Sequence, residues 1–493
     1  MSMGQRWDGI RGWHAVLAGA AAGGMGWGIR GQYGHETGAM MAGLLVALAL
    51  CRLMASQADP ATVARAVAWC ALATGVGGSM TYGQTVGLTH DPVHVGRWDV
   101  LGWGMLGLAI KGGIWTGFGA TFLGMGLGGV KYRARELAVA WLGLMGLCAL
   151  GIAWINEPFD PARRVLPRVY FSADWRWLPD AVLKPRREVW GGLLLALAGL
   201  LAWTGRWKRD GLAWRLGLLG VLGGALGFPL GQSIQAFHAW NTPWFAEGVG
   251  ARVASVTNWW NFMETTFGAT WGGVVGLGLW RMRGRIAGRD VTEGLERGET
   301  WRAWPAWREW ALLAVHVFLL MAEEFTDARW ASEAYDFGML LVWLPLAAVA
   351  GGRLWPWWVM FPVILLPIAG KTFRNLALED GGWTTATGAW VLCVLPLGAT
   401  WATGEWLRRK AAIPGATAGS WLKGGLAFAS CLYFGLNFAF FRFPWPWATW
   451  TARTPNALVY AACLAALGWL AWRRPGPAHA LGIPQSPAGP ETR

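Results

Sequence analysis

The sequence predicts an all-α, polytopic integral membrane protein of about 14 transmembrane helices, and three observations carry that prediction. Apolar runs of about 18 to 25 residues recur from one end of the chain to the other, each long enough to cross a hydrocarbon layer about 30 Å thick. Of the 493 residues, 54% are apolar and only 14% are charged, where an ordinary soluble domain carries about a quarter. The 42 basic residues, which set a net charge of +14, gather between the runs and not on a polar domain. That distribution excludes nucleic acid as a partner, because a nucleic-acid footprint collects on one soluble face. Positive loops orient membrane helices instead, so the expected partner is the lipid bilayer.

Taken in order, the predicted helices cover about 13–30, 36–54, 63–84, 100–128, 136–155, 188–205, 212–235, 258–280, 307–322, 336–352, 355–370, 384–404, 421–441 and 455–472. The loops between them alternate in charge. Lys131-Arg133-Arg135, Arg206-Lys208-Arg209-Arg215, Arg281-Arg283-Arg285-Arg289 and Arg408-Arg409-Lys410 fall on one side, together with both termini. Asp91, Glu323-Glu324-Asp327 and Glu379-Asp380 fall on the other. The positive-inside rule puts the basic side, and both termini, in the cytoplasm of an inner (cytoplasmic) membrane. Residues 156–187 dissent, with six Arg on the outer side; loops this long follow the rule less strictly, and a small outer cap is expected there. The first span has no small-residue cleavage site after it and reads as an uncleaved anchor. All six Cys fall inside apolar runs with no metal-type spacing.

Two segments repeat. Gly83-Gln84-Thr85-Val86-Gly87-Leu88-Thr89-His90 returns as Gly231-Gln232-Ser233-Ile234-Gln235-Ala236-Phe237-His238, each after a Gly-Gly pair, Gly77-Gly78 and Gly223-Gly224. About 35 residues later each is followed by the same tetrapeptide, Phe118-Gly119-Ala120-Thr121 and Phe267-Gly268-Ala269-Thr270. The pattern predicts internal parallel repeats of a four-helix unit, 1–130 and 131–281. A cytoplasmic loop (282–306), a C-terminal six-helix bundle (307–473) and a disordered Pro/Gly-rich tail (474–493) follow. Transporters built from repeats bind their solute at the repeat interface, on helices interrupted by Gly or Pro. Gly23-Gly24-Met25-Gly26-Trp27-Gly28 and Gly223-Gly224-Ala225-Leu226-Gly227-Phe228-Pro229 are the matching runs here. Close helix packing through small residues is the other use of such glycines.

Polar side chains inside or at the ends of apolar runs are costly and so mark function. Most cluster at the predicted outer ends: Arg30, Gln32, His35 and Glu36; Gln84, His90 and Asp91; Gln232 and His238; Asn261 and Glu264; Glu323 and Asp327; Lys371 and Arg374. On a continuing helix Glu323 and Asp327 share a face and can hold a cation or a proton, while Lys371 and Arg374 can receive an anion. Lys111 lies mid-span. Interfacial polarity accounts for some of these residues. His90, Asp91, His94 and His238 have no spacing that defines a metal centre, so no metal and no cofactor is expected. Two function classes remain. A transporter of a small polar or anionic solute, bound at the repeat interface, explains the repeats, the Gly/Pro runs and Lys111. A membrane enzyme with an extracytoplasmic active site, moving a sugar, phosphoryl or acyl group from a lipid-linked donor, explains the one-sided clustering and the acid–base candidates. The repeats favour transport.

Overall fold

The computed structural model of the chain describes residues 10–31, 33, 35–288, 304–326, 328–331, 340–379, 383–441 and 450–472. The fold is all-helical, 79% helix, with no strand among the described residues. The elements are α1 Gly12–Arg30, α2 His35–Met54, α3 Pro60–Val76, α4 Gly83–His90, α5 Trp98–Leu127, α6 Ala134–Gly151, α7 Trp190–Ala202, α8 Ala213–Trp240, α9 Thr242–Ala246, α10 Gly248–Ser255 and α11 Trp259–Arg281. They continue as α12 Ala306–Phe325, α13 Leu340–Gly351, α14 Trp355–Glu379, α15 Thr385–Ala411, α16 Gly419–Phe441 and α17 Thr454–Trp472. Among the described residues seven helices, α2, α3, α6, α8, α14, α15 and α17, are long and apolar enough to cross a membrane. The tail and most of the 282–306 loop lie outside the described residues.

Local chemistry sets the helix starts. Asp59 caps α3 by accepting a hydrogen bond from the Thr62 amide at 2.7 Å, with Pro60 at the first helical position, where its missing N–H costs nothing. Asn258 caps α11 in the same way through the Asn261 amide, at 3.1 Å. This cap fixes the register of Asn261 and Glu264 in the first turns of α11.

The core is built by backbone contact. In α1 and α11 a Cβ added to Gly19 would lie 2.0 Å from the Gly272 carbonyl oxygen, and one added to Gly272 would lie 2.0 Å from that of Gly19. One turn on, Gly23 and Gly268 face each other equally closely, at 2.2 and 2.1 Å. The two helices are therefore antiparallel and touch through their main chains. Dispersion between close backbones drives association where lipid is as apolar as any side chain. The α5–α8 seam repeats the device at Gly112 and Gly224. α11 also packs on α8, and α2 and α3 close the other side. α16 and α17 pack together and against α1 and α2.

Two sequence expectations change here. The glycine runs do not interrupt α1 or α8: both helices are continuous, α8 even through Pro229. The reason is the seam itself, since Gly23, Gly26, Gly223, Gly224 and Gly227 each accept a neighbouring backbone and the helix has no need to unwind. A break occurs instead at Gly77–Ser79, a single 3₁₀ turn where the Trp115 ring fills the space a Cβ on Gly77 would need. The two Gly-Gln segments also differ. The first forms the separate short helix α4, and the second lies within α8.

Candidate functional site

The break after α3 turns Tyr82 inward, and Tyr82 completes a buried charge centre. Arg30, the last residue of α1, is wholly buried. A cation at a helix C-terminus complements the exposed carbonyls there, but burial needs a counter-charge as well. Glu264 of α11 supplies it: Arg30 Nη2 donates to Glu264 Oε1 at 2.8 Å and to the Tyr82 hydroxyl at 3.0 Å. The rings of Trp27, Tyr82 and Trp115 surround the guanidinium, with centroids 5.2, 5.5 and 4.9 Å from Cζ. Such desolvated cation–π contacts strengthen the field holding Arg30 charged. Trp260 Nε1 donates to Glu264 Oε1 at 3.2 Å, whereas Glu264 Oε2 is buried without a hydrogen-bond partner.

A second polar layer lies alongside. Asn261 Nδ2 reaches the Gly28 carbonyl and the Tyr460 hydroxyl, each at 3.4 Å, and Thr265 Oγ1 donates to the Asn261 carbonyl at 2.6 Å. Asn456 lies one turn before Tyr460 on α17. On α16, Ser430, Tyr433 and Asn437 follow at i, i+3 and i+7 and so share a face. All four are at most 1% exposed. Ser430 Oγ, Tyr433 OH and both amide atoms of Asn437 and of Asn456 have no hydrogen-bond partner. The Tyr33 hydroxyl, donating to the Leu436 carbonyl at 2.9 Å, ties this face of α16 to the α1–α2 turn. Leaving so many buried groups unpaired costs about 1–3 kcal/mol each, a burden that native proteins accept where a ligand or water completes the bonding. On α8, Gln232 donates to Thr89 Oγ1 at 2.7 Å while its Oε1, like that of Gln235, is buried and unpartnered.

Lys111 has a different setting. Its ammonium donates to the Thr81 carbonyl at 2.6 Å, Thr85 Oγ1 at 2.8 Å and Glu188 Oε1 at 2.6 Å, which uses all three protons. Glu188 also accepts from Ser172 Oγ, the Phe171 amide and Trp190 Nε1. This saturated pair fastens the segment between α6 and α7 onto α5. Tyr170, Trp177 and Lys184 of that segment accept further bonds from Trp103, Arg97 and Gln84.

The remaining predicted residues divide by place. Arg30, Asn261, Glu264 and Gln232 belong to the buried polar region. Gln84 is half-buried and held by the α6–α7 segment. His90 and Asp91 sit at the surface, 3.8 Å apart. His238 is half-buried and stacks on Trp259 with ring centroids 4.5 Å apart. Glu323 is half-buried on α12, and Lys371 and Arg374 are half-buried on the adjacent α14, where Arg374 pairs with Glu379 at 3.3 Å. Gln32 and Asp327, and the side chains of His35 and Glu36, lie outside the described residues. Among those described, no group of three or more His, Cys, Asp or Glu is placed to hold a metal ion. Sequence reasoning passed over Tyr82, Glu188, Tyr460, Asn437 and Asn456. The two Asn were findable, since each is a strongly polar residue within or near the start of an apolar run.

Comparison of the chain with protein-family models, with curated proteins and with solved structures gives no match.

Proposed function

We propose that the chain is a multi-pass transporter of a small polar or anionic solute, with its binding site between α1, α11, α16 and α17. One observation carries the reading: a set of polar side chains that is both unpartnered and closed to solvent. Glu264 Oε2 accepts a donor, and the amides of Asn437 and Asn456 each offer one acceptor and two donors. A solute with hydroxyl, amine or carboxyl groups fits that set, and an anionic group can take the place of Glu264 on Arg30. An enzyme acting from one side needs an open mouth, which these groups lack. The enzyme reading draws instead on half-buried His90 and exposed Asp91 at the end of α4. The parallel repeat, the inner-membrane location and cytoplasmic termini belong to the same proposal and rest on sequence pattern and loop charge.

The test needs no known solute. In a cysteine-free chain, Asn437→Cys is labelled with a membrane-impermeant thiol reagent from each side of oriented vesicles. Transport predicts labelling from both sides, because the site must open alternately. Labelling from one side alone would overturn transport and favour a fixed site.

A further inference from the structure

A second site lies away from the buried ion pairs, at the end of the bundle that carries Arg408-Arg409-Lys410. A cavity of about 580 Å³ opens between α15, α16 and α17 and is lined by Thr403, Trp406, Lys410, Ser420, Lys423 and Trp472, with Phe428 and Gly424 among its apolar walls. The cations Arg408, Arg409, Lys410 and Lys423 lie at this end, and they differ. Arg408 and Arg409 are both neutralised by Glu405, at 2.6 and 2.8 Å. Lys410 and Lys423 have no carboxylate among the described residues. Each ammonium rests on a tryptophan instead, Lys410 Nζ 4.0 Å from the Trp406 ring and Lys423 Nζ 5.1 Å from that of Trp472.

The cavity thus has two uncompensated positive charges, hydroxyls from Ser420 and Thr403, and aromatic walls. Among the described residues no acidic side chain lines it. Trp406 and Trp472 are 47% and 61% exposed, on the outside of the helix group. Aromatic rings beside lysines at a helix end are the setting of a bilayer's head-group layer, and basic pockets between membrane helices take anionic head groups. We propose that this cavity binds a phosphate-bearing anion, the two lysines sharing its charge while Thr403 donates to its oxygens, joined by Ser420 once it gives up its long 3.5 Å bond to the Lys410 carbonyl. The ligand chemistry is a phosphate mono- or diester oxygen; its source is a phospholipid head group or a free phosphate. The site does not depend on the transport reading, and it needs nothing from Arg30 or Glu264.

The test is native mass spectrometry of the purified full chain in detergent. Dioleoylphosphatidylglycerol, dioleoylphosphatidylcholine or inorganic phosphate is added in turn. The proteins are wild type, Lys410→Gln/Lys423→Gln, and the charge-matched control Lys208→Gln/Arg215→Gln from another basic loop. The expected result is at least one tightly held phosphatidylglycerol in wild type and control, with about tenfold weaker retention in the Lys410/Lys423 variant. Retention of phosphatidylglycerol, undiminished by inorganic phosphate, assigns the lipid as source. Protection of the wild type and the control, but not of the Lys410/Lys423 variant, against thermal unfolding by inorganic phosphate assigns the free anion. Equal retention by all three proteins, with no effect of phosphate, would overturn the proposal. So would a loss in the control as large as in the Lys410/Lys423 variant.

Discussion

Among the described residues two ion pairs are buried on both sides, and they are built to opposite ends. Lys111 and Glu188 saturate each other and their surroundings: every lysine proton has an acceptor, and both glutamate oxygens have donors. Arg30 and Glu264 are just as buried, yet Glu264 keeps one oxygen without a donor, and the Asn437, Asn456 and Tyr433 polar groups on neighbouring helices are equally unsatisfied. A complete network rigidifies; an incomplete one has room for something else. Charge alone does not separate the two, because both are expensive charges inside a helical bundle. The surplus bonding capacity does.

Removing one partner from either pair strands the other charge. Glu264→Ala and Glu188→Ala should each destabilise the protein by about 3–5 kcal/mol, read as thermal unfolding in detergent. Equal, small losses in both would mean that neither charge is truly desolvated. A leucine at Gly23 should come next. It cannot fit against the Gly268 carbonyl, and overpacking at a main-chain seam costs about 1–3 kcal/mol or more; Gly83→Leu, with open space around it, should cost less than about 0.5 kcal/mol. Solute binding should vanish with the first change and survive the second.

The Asn substitutions cut the other way. Asn437→Leu and Asn456→Leu remove buried groups that have no partner, so each should leave stability unchanged or raise it by about 1–2 kcal/mol, while weakening solute binding. A fall of several kcal/mol in either variant would show that these amides serve the fold. The smallest effect concerns the α4–α5 connection outside the bundle. Burial holds the His94 imidazole below its usual range, against the opposing pull of Asp91. The unfolded chain therefore binds more protons than the folded one near and below pH 6.5, and stability rises with pH through that window. It is lost as the pH falls through the ordinary imidazole value. His94→Gln should flatten that part of the stability profile by less than about 1 kcal/mol, measured as unfolding temperature from pH 5 to 8.

Much of the fold is legible in the sequence because period and length decide it. The apolar runs at α2, α3 and α14 are read directly, and a helix lies over each. What glycine does is less legible. The run Gly23 to Gly28 looks like an interruption in one dimension and proves to be a contact surface in three, since the partner glycines of α11 are more than two hundred residues away. The site shows the same limit. Arg30 and Glu264 stand out as isolated charges at span ends, but their pairing is a long-range fact. Lys111 looks like a pathway residue because Glu188 sits beyond a long loop, where nothing local announces a partner. Asn437 and Asn456 stand out in sequence as polar residues in or beside apolar runs, but the absence of bonding partners around them is visible only in three dimensions.

The central claim is that the Arg30–Glu264 region works while the Lys111–Glu188 pair only holds. Both pairs can be neutralised while keeping an acceptor in place, as Arg30→Met/Glu264→Gln and as Lys111→Met/Glu188→Gln. Each is made in the cysteine-free Asn437→Cys chain, and thiol labelling is measured from both sides. With folding checked by thermal unfolding, two-sided labelling should persist in the Lys111/Glu188 variant and disappear in the Arg30/Glu264 variant. Loss in both, or persistence in the Arg30/Glu264 variant, would contradict it.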